Sequence, residues 1–242
     1  MKHVIRPIIY EKGNITLTEL ADFPHFKDVS IVPMIENSVF RQGENKMEFS
    51  VKKFLLGQKT VAENELGIRI NEGGQYLSLC KIKNGTIEKF YSSTVQTDLS
   101  KGENSLLLFL CNSMGISLKE KPSYSYINVF TNDTDGELKK TDPSTILLLN
   151  SPKNREVYKL KSKVLVDFFI VNAVVEKGNN YILLKVNNLE FKINRWSPFV
   201  IEGLPYGVHK ISIEAFNAKG EALKGAKMTS VEIEIKEDAV FE

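Results

Sequence analysis

Residues 98–119 and 203–224 are two versions of one sequence, and they decide the fold. The first reads DLSKGENSLLLFLCNSMGISLK and the second GLPYGVHKISIEAFNAKGEALK. Identical residues recur at a constant offset of 105 positions: Leu99/Leu204, Gly102/Gly207, Asn112/Asn217, Gly115/Gly220, Leu118/Leu223 and Lys119/Lys224. Two copies of one module in a chain of 242 residues predict two similar domains in tandem.

Alternation of apolar and polar residues predicts antiparallel β-strands on both sides of this repeat. The pattern is clear in residues 47–51 (MEFSV), 182–193 (ILLKVNNLEFKI), 211–215 (ISIEA) and 231–235 (VEIEI). Turn residues separate these runs, and Asn84-Gly85 predicts a two-residue hairpin. No segment has the pattern of an amphipathic helix. We therefore expect an all-β chain of two tandem immunoglobulin-like antiparallel β-sandwiches with an N-terminal arm.

The domain boundaries follow from composition. Residues 131–144 (TNDTDGELKKTDPS) are polar and contain Gly and Pro, which is typical of a linker. The arm is expected to pack on the first domain or to add an edge strand to it. The predicted segments are an N-terminal arm (1–28), a first sandwich (29–131), a linker (132–143), a second sandwich (144–236) and a tail (237–242).

Charge and hydropathy exclude two classes of partner. The formal net charge is +2, from 32 basic and 30 acidic residues, so we expect no nucleic-acid partner. No run approaches the ~18 apolar residues of a membrane span. The first ten residues lack the apolar core of a secretory signal peptide. Either the protein stays where it is made, or the sequence is a mature segment restarted with Met1.

The two cysteines, Cys80 and Cys111, leave two interpretations open. Each lies in an apolar, strand-like run, and their spacing matches no metal or redox motif. They are either buried thiols that pack as small hydrophobic groups or partners in a cross-strand or inter-sheet disulfide. We expect no metal and no cofactor.

Residues for catalysis are sparse. The only histidines are His3, His25 and His209, no two of which share a local spacing, and no GxSxG motif occurs. Residues 132–137 (NDTDGE) resemble the start of a calcium loop, but Pro143 stands where the loop needs its final glutamate. Asp167, within VLVDFFIV, is expected to point outward or to lie at a sheet edge. We expect no enzymatic activity.

Aromatic residues supply the candidate contact sites. Residues 194–209 (NRWSPFVIEGLPYGVH) hold the only tryptophan, and Arg195, Trp196, Phe199 and Tyr206 could form a partner-binding patch. Alternatively, Trp196 closes one end of the sandwich. Tyr124 and Tyr126 share one face of a predicted strand and form either an exposed aromatic row or a cross-strand packing pair.

The second half of the chain resembles a group of uncharacterised two-domain envelope proteins of Bacteroidota. The matching segments are Ser151-Pro152-Lys153, residues 164–172 (VLVDFFIVN), 196–199 (WSPF) and 202–207 (EGLPYG), with looser matches at 56–60 (LGQKT) and 74–75 (GQ). Tyr76 and Gly115 stand where those proteins carry histidines. The resemblance implies two immunoglobulin-like domains and a place in the periplasm or at the cell surface, and it carries over no catalytic residue.

These observations favour a non-enzymatic binding or scaffold protein of the bacterial cell envelope that presents its domains to a protein or glycan partner. Immunoglobulin-like sandwiches expose loop ends and strand edges for this purpose. The alternative is a structural protein of a phage virion or a similar assembly. A carbohydrate-binding or carbohydrate-active domain built around Trp196 is a third interpretation. A homo- or hetero-oligomer within an assembly is compatible with each of them.

Overall fold

The computed structural model describes residues 7–20, 26–34, 38–60, 66–131 and 144–237, and their regular structure is entirely β-strand. They contain no helix long and apolar enough to span a bilayer. The predicted linker 132–143 and its calcium-like segment lie outside the described residues, as do His3, His25 and most of the tail. The strands of the described residues are, in chain order, β1 (Ile9–Lys12), β2 (Ile15–Glu19), β3 (Ser30–Pro33), β4 (Gly43–Lys52), β5 (Tyr76–Lys81), β6 (Thr86–Phe90), β7 (Thr94–Leu99), β8 (Gly102–Cys111), β9 (Tyr124–Thr131), β10 (Ile146–Ser151), β11 (Glu156–Lys159), β12 (Val164–Val171), β13 (Tyr181–Val186), β14 (Leu189–Ile193), β15 (Phe199–Glu202), β16 (Gly207–Phe216) and β17 (Thr229–Lys236).

The first module comprises β3 to β9 and is an immunoglobulin-like sandwich. One sheet has the order β3-β4-β7 and the other β6-β5-β8-β9. With the strands lettered A, B, C, C′, E, F and G along the chain, these are the sheets A-B-E and C′-C-F-G. The core lies between them and includes Met47, Phe49, Leu79 and Leu108, none more than 3% exposed. The predicted fold class is therefore confirmed for this half of the chain.

The second module repeats this strand order with additions. Its sheets have the orders β10-β12-β15-β2-β1 and β11-β17-β16-β13-β14. Strands β10, β12 and β15 are A, B and E, and β14, β13, β16 and β17 are C′, C, F and G. Strand β11 pairs parallel to β17, whereas the other pairs described in this module are antiparallel. Phe168, Phe191, Ile213 and Ile233 lie in the core between the two sheets.

The N-terminal segment belongs to the second module, which corrects the prediction that it packs on the first. Strand β2 pairs antiparallel with β15, from Phe199↔Glu19 to Glu202↔Thr16. Residues 66–69 also group with this module, and Arg69 Nη1 lies 3.5 Å from Glu156 Oε1. In sequence, therefore, the first module is inserted between two parts of the second.

The 105-residue repeat is strand F and the turn that follows it. Strands β8 and β16 have bounds that differ by 105 residues, and so do β5 and β13. After β8, Asn112 Oδ1 accepts hydrogen bonds from two backbone amides, those of Met114 and Ile116. After β16, Asn217 Oδ1 does the same for residues 219 and 221. The repeated asparagine thus closes the F–G turn in both modules.

A lysine–tyrosine contact also recurs, although the sequence repeat does not show it. Lys89 Nζ lies 4.8 Å from the ring centroid of Tyr76, and Lys192 Nζ lies 3.9 Å from that of Tyr181. The two tyrosines are 105 residues apart, but the lysines are only 103 apart because the second hairpin is shorter. Both contacts place a cation on the face of an aromatic ring.

The two C–C′ hairpins differ from the prediction in loop length. Lys81 pairs with Thr86, so a four-residue loop, 82–85, replaces the predicted two-residue turn at Asn84-Gly85. The two-residue turn occurs in the second module, where Val186 pairs with Leu189. Asn187 has a φ of 53° there, as the first position of a type I′ turn requires.

The cysteines do not form a disulfide, so the thiol interpretation is the correct one. Both lie in the β5–β8 pair, where Cys80 is opposite Leu107 and Cys111 is opposite Tyr76. Four positions along a strand correspond to ~13 Å, about twice the Cα separation that a disulfide allows. Both side chains are buried, and the Ser78 hydroxyl lies 3.6 Å from Cys111 Sγ.

We expect Gly203→Ala to destabilise the second module far more than Gly13→Ala. Both glycines have a positive φ, but a Cβ at position 203 would lie 1.9 Å from the Asn14 carbonyl oxygen, whereas nothing lies within 4 Å at position 13. Gly13→Ala should cost only the backbone strain of about 1–2 kcal/mol, and Gly203→Ala at least about 3 kcal/mol because the backbone must also move. Urea unfolding measures both, and equal costs would contradict the packing of the N-terminal hairpin on residue 203.

Candidate functional site

The four residues predicted from 194–209 do not form one exposed patch. Phe199 is the clearest correction, since it lies on β15 with 0% exposure and belongs to the core. Its side chain points between the sheets, where Tyr10 packs at 6.4 Å between ring centroids. Phe199 therefore cannot contact a partner in the folded protein.

Trp196 has the structural role that the sequence left open. Its indole Nε1 donates a hydrogen bond of 3.1 Å to the Phe168 carbonyl oxygen. Its ring meets Phe169 edge-on, at 5.0 Å and 90°, and packs against the core of the second module. These contacts hold the connection between β14 and β15 against β12, and only part of the ring reaches the surface.

Arg195 holds the N-terminal hairpin in place. Arg195 Nη1 lies 2.9 Å from Glu19 Oε2, and the backbone amide of Ile8 donates to the same oxygen at 3.0 Å. The Glu19 side chain is 2% exposed, whereas that of Arg195 is 42% exposed. Burial raises the pKa of nearby Tyr10, the Glu19 carboxylate raises it further and Arg195 opposes both. The ion pair thus ties β2 to the connection between β14 and β15.

Tyr124 and Tyr126 lie in the first module and are half-buried on β9. They are two positions apart on one strand and so share a face, as predicted. In the register, Tyr124 is opposite Phe109 and Tyr126 is opposite Leu107 on β8. Burial raises the pKa of Tyr124, and Lys121 Nζ lies 5.7 Å from its ring. This arrangement matches cross-strand packing better than an exposed aromatic row.

Tyr206 is the predicted contact residue that the structure leaves open to solvent. It is 69% exposed and lies just before β16, and Val208, at the start of that strand, is 65% exposed. Glu234 is opposite both Val208 and Val157 in the β16–β17 and β11–β17 registers, so these three residues form one row on the outer face of the sheet. We call Tyr206, Val208, Glu234 and Val157 the Tyr206 surface. Glu234 also pairs with Lys236 at 3.0 Å.

A buried histidine fixes the loop that carries Tyr206. His209 is 4% exposed, and its Nε2 lies 2.8 Å from the Pro205 carbonyl oxygen. Because a carbonyl only accepts, Nε2 carries the hydrogen. Asn187 Oδ1 accepts from the Lys210 backbone amide at 2.9 Å, so Asn187 Nδ2 donates to His209 Nδ1 at 3.0 Å. Both ring nitrogens are therefore used to hold residues 205–210 against the C–C′ turn.

Sequence reasoning missed the role of His209 and Asn187. A signal was present, because His209 has the same parity as Ile211, Ile213 and Ala215 and therefore points into the core. A histidine among core residues needs two hydrogen-bond partners. The sequence could not identify Asn187 as one of them, because that depends on the pairing of β13 with β16.

Asp167 alternates with the core residues Val166 and Phe168 and so lies on the outer face of β12, as predicted, but it is buried there and not at a sheet edge. It lies on β12, between β10 and β15, with 0% exposure, and Asn150 Nδ2 donates to its Oδ2 at 2.9 Å. In the described part of the chain, no group of three or more His, Cys, Asp or Glu residues is arranged to hold a metal ion.

Comparisons with known proteins add little to this geometry. No family model and no curated protein matches the chain. Among solved structures, the chain is similar to fibronectin(III)-like modules of Clostridium thermocellum CbhA, with 12% identity and a TM-score of 0.31 over 85% of this chain and 94% of that one. It is also similar to the extracellular domain of a putative hybrid two-component system of B. thetaiotaomicron, with 11% identity and a TM-score of 0.28. The second match covers 94% of this chain but only 31% of that domain's chain.

Trp196→Ala is expected to lower the free energy of unfolding by about 2–4 kcal/mol, because it removes a packed ring and leaves the Phe168 carbonyl without its indole donor. Urea unfolding followed by far-UV circular dichroism gives the value. Trp196→Phe is the matched control and should recover most of the packing but not the hydrogen bond. A cost below about 0.5 kcal/mol for Trp196→Ala would place the indole at the surface instead.

Proposed function

We propose that this chain is a non-enzymatic binding or scaffold protein of the bacterial cell envelope and that the Tyr206 surface is its contact site for a protein partner. The observation that carries the proposal is the exposed Tyr206 on a loop that buried His209 holds by a hydrogen bond to the Pro205 carbonyl. Tyrosine is enriched among the residues that dominate binding energy at protein interfaces. A loop that is already ordered loses little conformational entropy on binding.

The composition of the surface favours a protein over a glycan. Val208 and Val157 supply aliphatic area on either side of Glu234, and Glu234 is paired with Lys236. Aromatic and aliphatic area combined with a few paired polar groups is common at protein–protein interfaces. The place in the cell envelope rests on the resemblance of residues 151–207 to envelope proteins of Bacteroidota.

Tyr206→Ala should abolish partner capture without destabilising the fold. The side chain is 69% exposed, so the free energy of unfolding should change by less than about 0.5 kcal/mol. Loss of a binding tyrosine should weaken the complex by at least about 2 kcal/mol, or roughly 30-fold. The measurement is a pull-down from the native source with the intact chain, read by mass spectrometry and followed by titration of the captured protein.

Met228→Ala is the matched control, because Met228 is exposed to a similar degree, at 56%, outside the Tyr206 surface. Capture of outer-membrane or surface proteins by the wild type and by Met228→Ala, but not by Tyr206→Ala, is the expected result. Capture that survives Tyr206→Ala would remove the Tyr206 surface from the proposal. Recovery of capsid or tail proteins would indicate a protein of a virion and not of the cell envelope.

A further inference from the structure

Strand β15 pairs along one edge with a strand from a distant part of the chain. In the immunoglobulin arrangement, strand E is followed across the sheet by strand D. Here only residues 194–198 connect β14 to β15, so this connection supplies no strand D. Strand β2 occupies that place and runs antiparallel to β15, as strand D would. The sheet is thus completed by a segment from the far end of the chain.

Strand β2 contributes to the core as well as to the ladder. Leu17 is 0% exposed and Ile15 is 6% exposed, and both belong to the core of the second module. Tyr10, on the neighbouring β1, packs against Phe191 and Phe199. Removal of the β1–β2 hairpin would therefore open a groove lined by aromatic and aliphatic core residues next to the β15 edge.

The groove selects one register of its ligand. The Glu19 carboxylate must reach Arg195, and the turn before β2 must fit against Gly203. A slip of one residue would turn Ile15 and Leu17 to the outer face of the sheet. The segment that meets all three conditions is the hairpin of this chain, residues 7–20.

Each of these contacts joins the hairpin to the rest of the second module. After Leu20 the chain continues into the first module. The contacts do not depend on this link between hairpin and first module, so the hairpin of another copy can make the same strand pairs. We propose that the β15 edge accepts the N-terminal hairpin of a second copy of this chain, so that copies become linked by hairpin exchange. This goes beyond the proposed function, because it does not involve the Tyr206 surface.

Two variants, each with one added cysteine, test the exchange. Thr16 and Glu202 are register partners, and both are half-buried on the outer face of the sheet. Directly opposite residues of an antiparallel pair are close enough for a disulfide. Thr16→Cys and Glu202→Cys chains are mixed, unfolded together in urea, refolded by dilution at high protein concentration and then oxidised. The native Cys80 and Cys111 are buried and do not compete.

The expected result is a disulfide-linked dimer in which peptide mapping joins position 16 of one chain to position 202 of the other. Its yield should rise with protein concentration during refolding. A mixture of Thr16→Cys with Lys210→Cys is the control, because Lys210 is exposed on the other sheet, and it should give at least several times less linked dimer. Chains that refold only to monomers, while the Thr16→Cys/Glu202→Cys double variant forms its internal disulfide, would overturn the proposal.

Discussion

The connection between β14 and β15, residues 194–198, is too short to supply another strand, and much of the second module depends on this constraint. Strand E would otherwise end the sheet with its backbone groups and the core behind it exposed to water. Strand β2 covers that edge, and Glu19 places a buried carboxylate against Arg195 to set the register. A buried carboxylate is costly without a partner, so the pair specifies one position of the hairpin.

The N-terminal hairpin also supports the Tyr206 surface that we propose for binding. Gly203 follows β15 directly and packs against the hairpin turn at Asn14. Leu204 is buried, and Pro205 accepts the hydrogen bond from His209. Residues 203–205 are therefore fixed on one side by the N-terminal hairpin and on the other by the histidine, and Tyr206 is presented from this rigid support.

Local pattern was enough to predict the all-β sandwich fold, because period-two alternation and turn residues are properties of short segments. The sequence repeat corresponds to strand F and the F–G turn of each module, where the repeated asparagine accepts the same backbone hydrogen bonds. Pairing between distant segments was not predictable. The sequence of β2 shows that it is a strand, but its partner lies 180 positions away, from Glu19 to Phe199. The burial of Phe199 and of Asp167 also depends on distant segments, which bring Tyr10 and Asn150 against them.

Amide hydrogen exchange on the intact chain tests the central claim, that the N-terminal hairpin is part of the second module's sheet. Backbone amides that pair in one cooperative sheet open together. We predict that peptides covering residues 15–20 exchange as slowly as those covering 199–202. Exchange of residues 15–20 at the rate of an exposed loop, while residues 199–202 stay protected, would show that the hairpin is not part of this sheet.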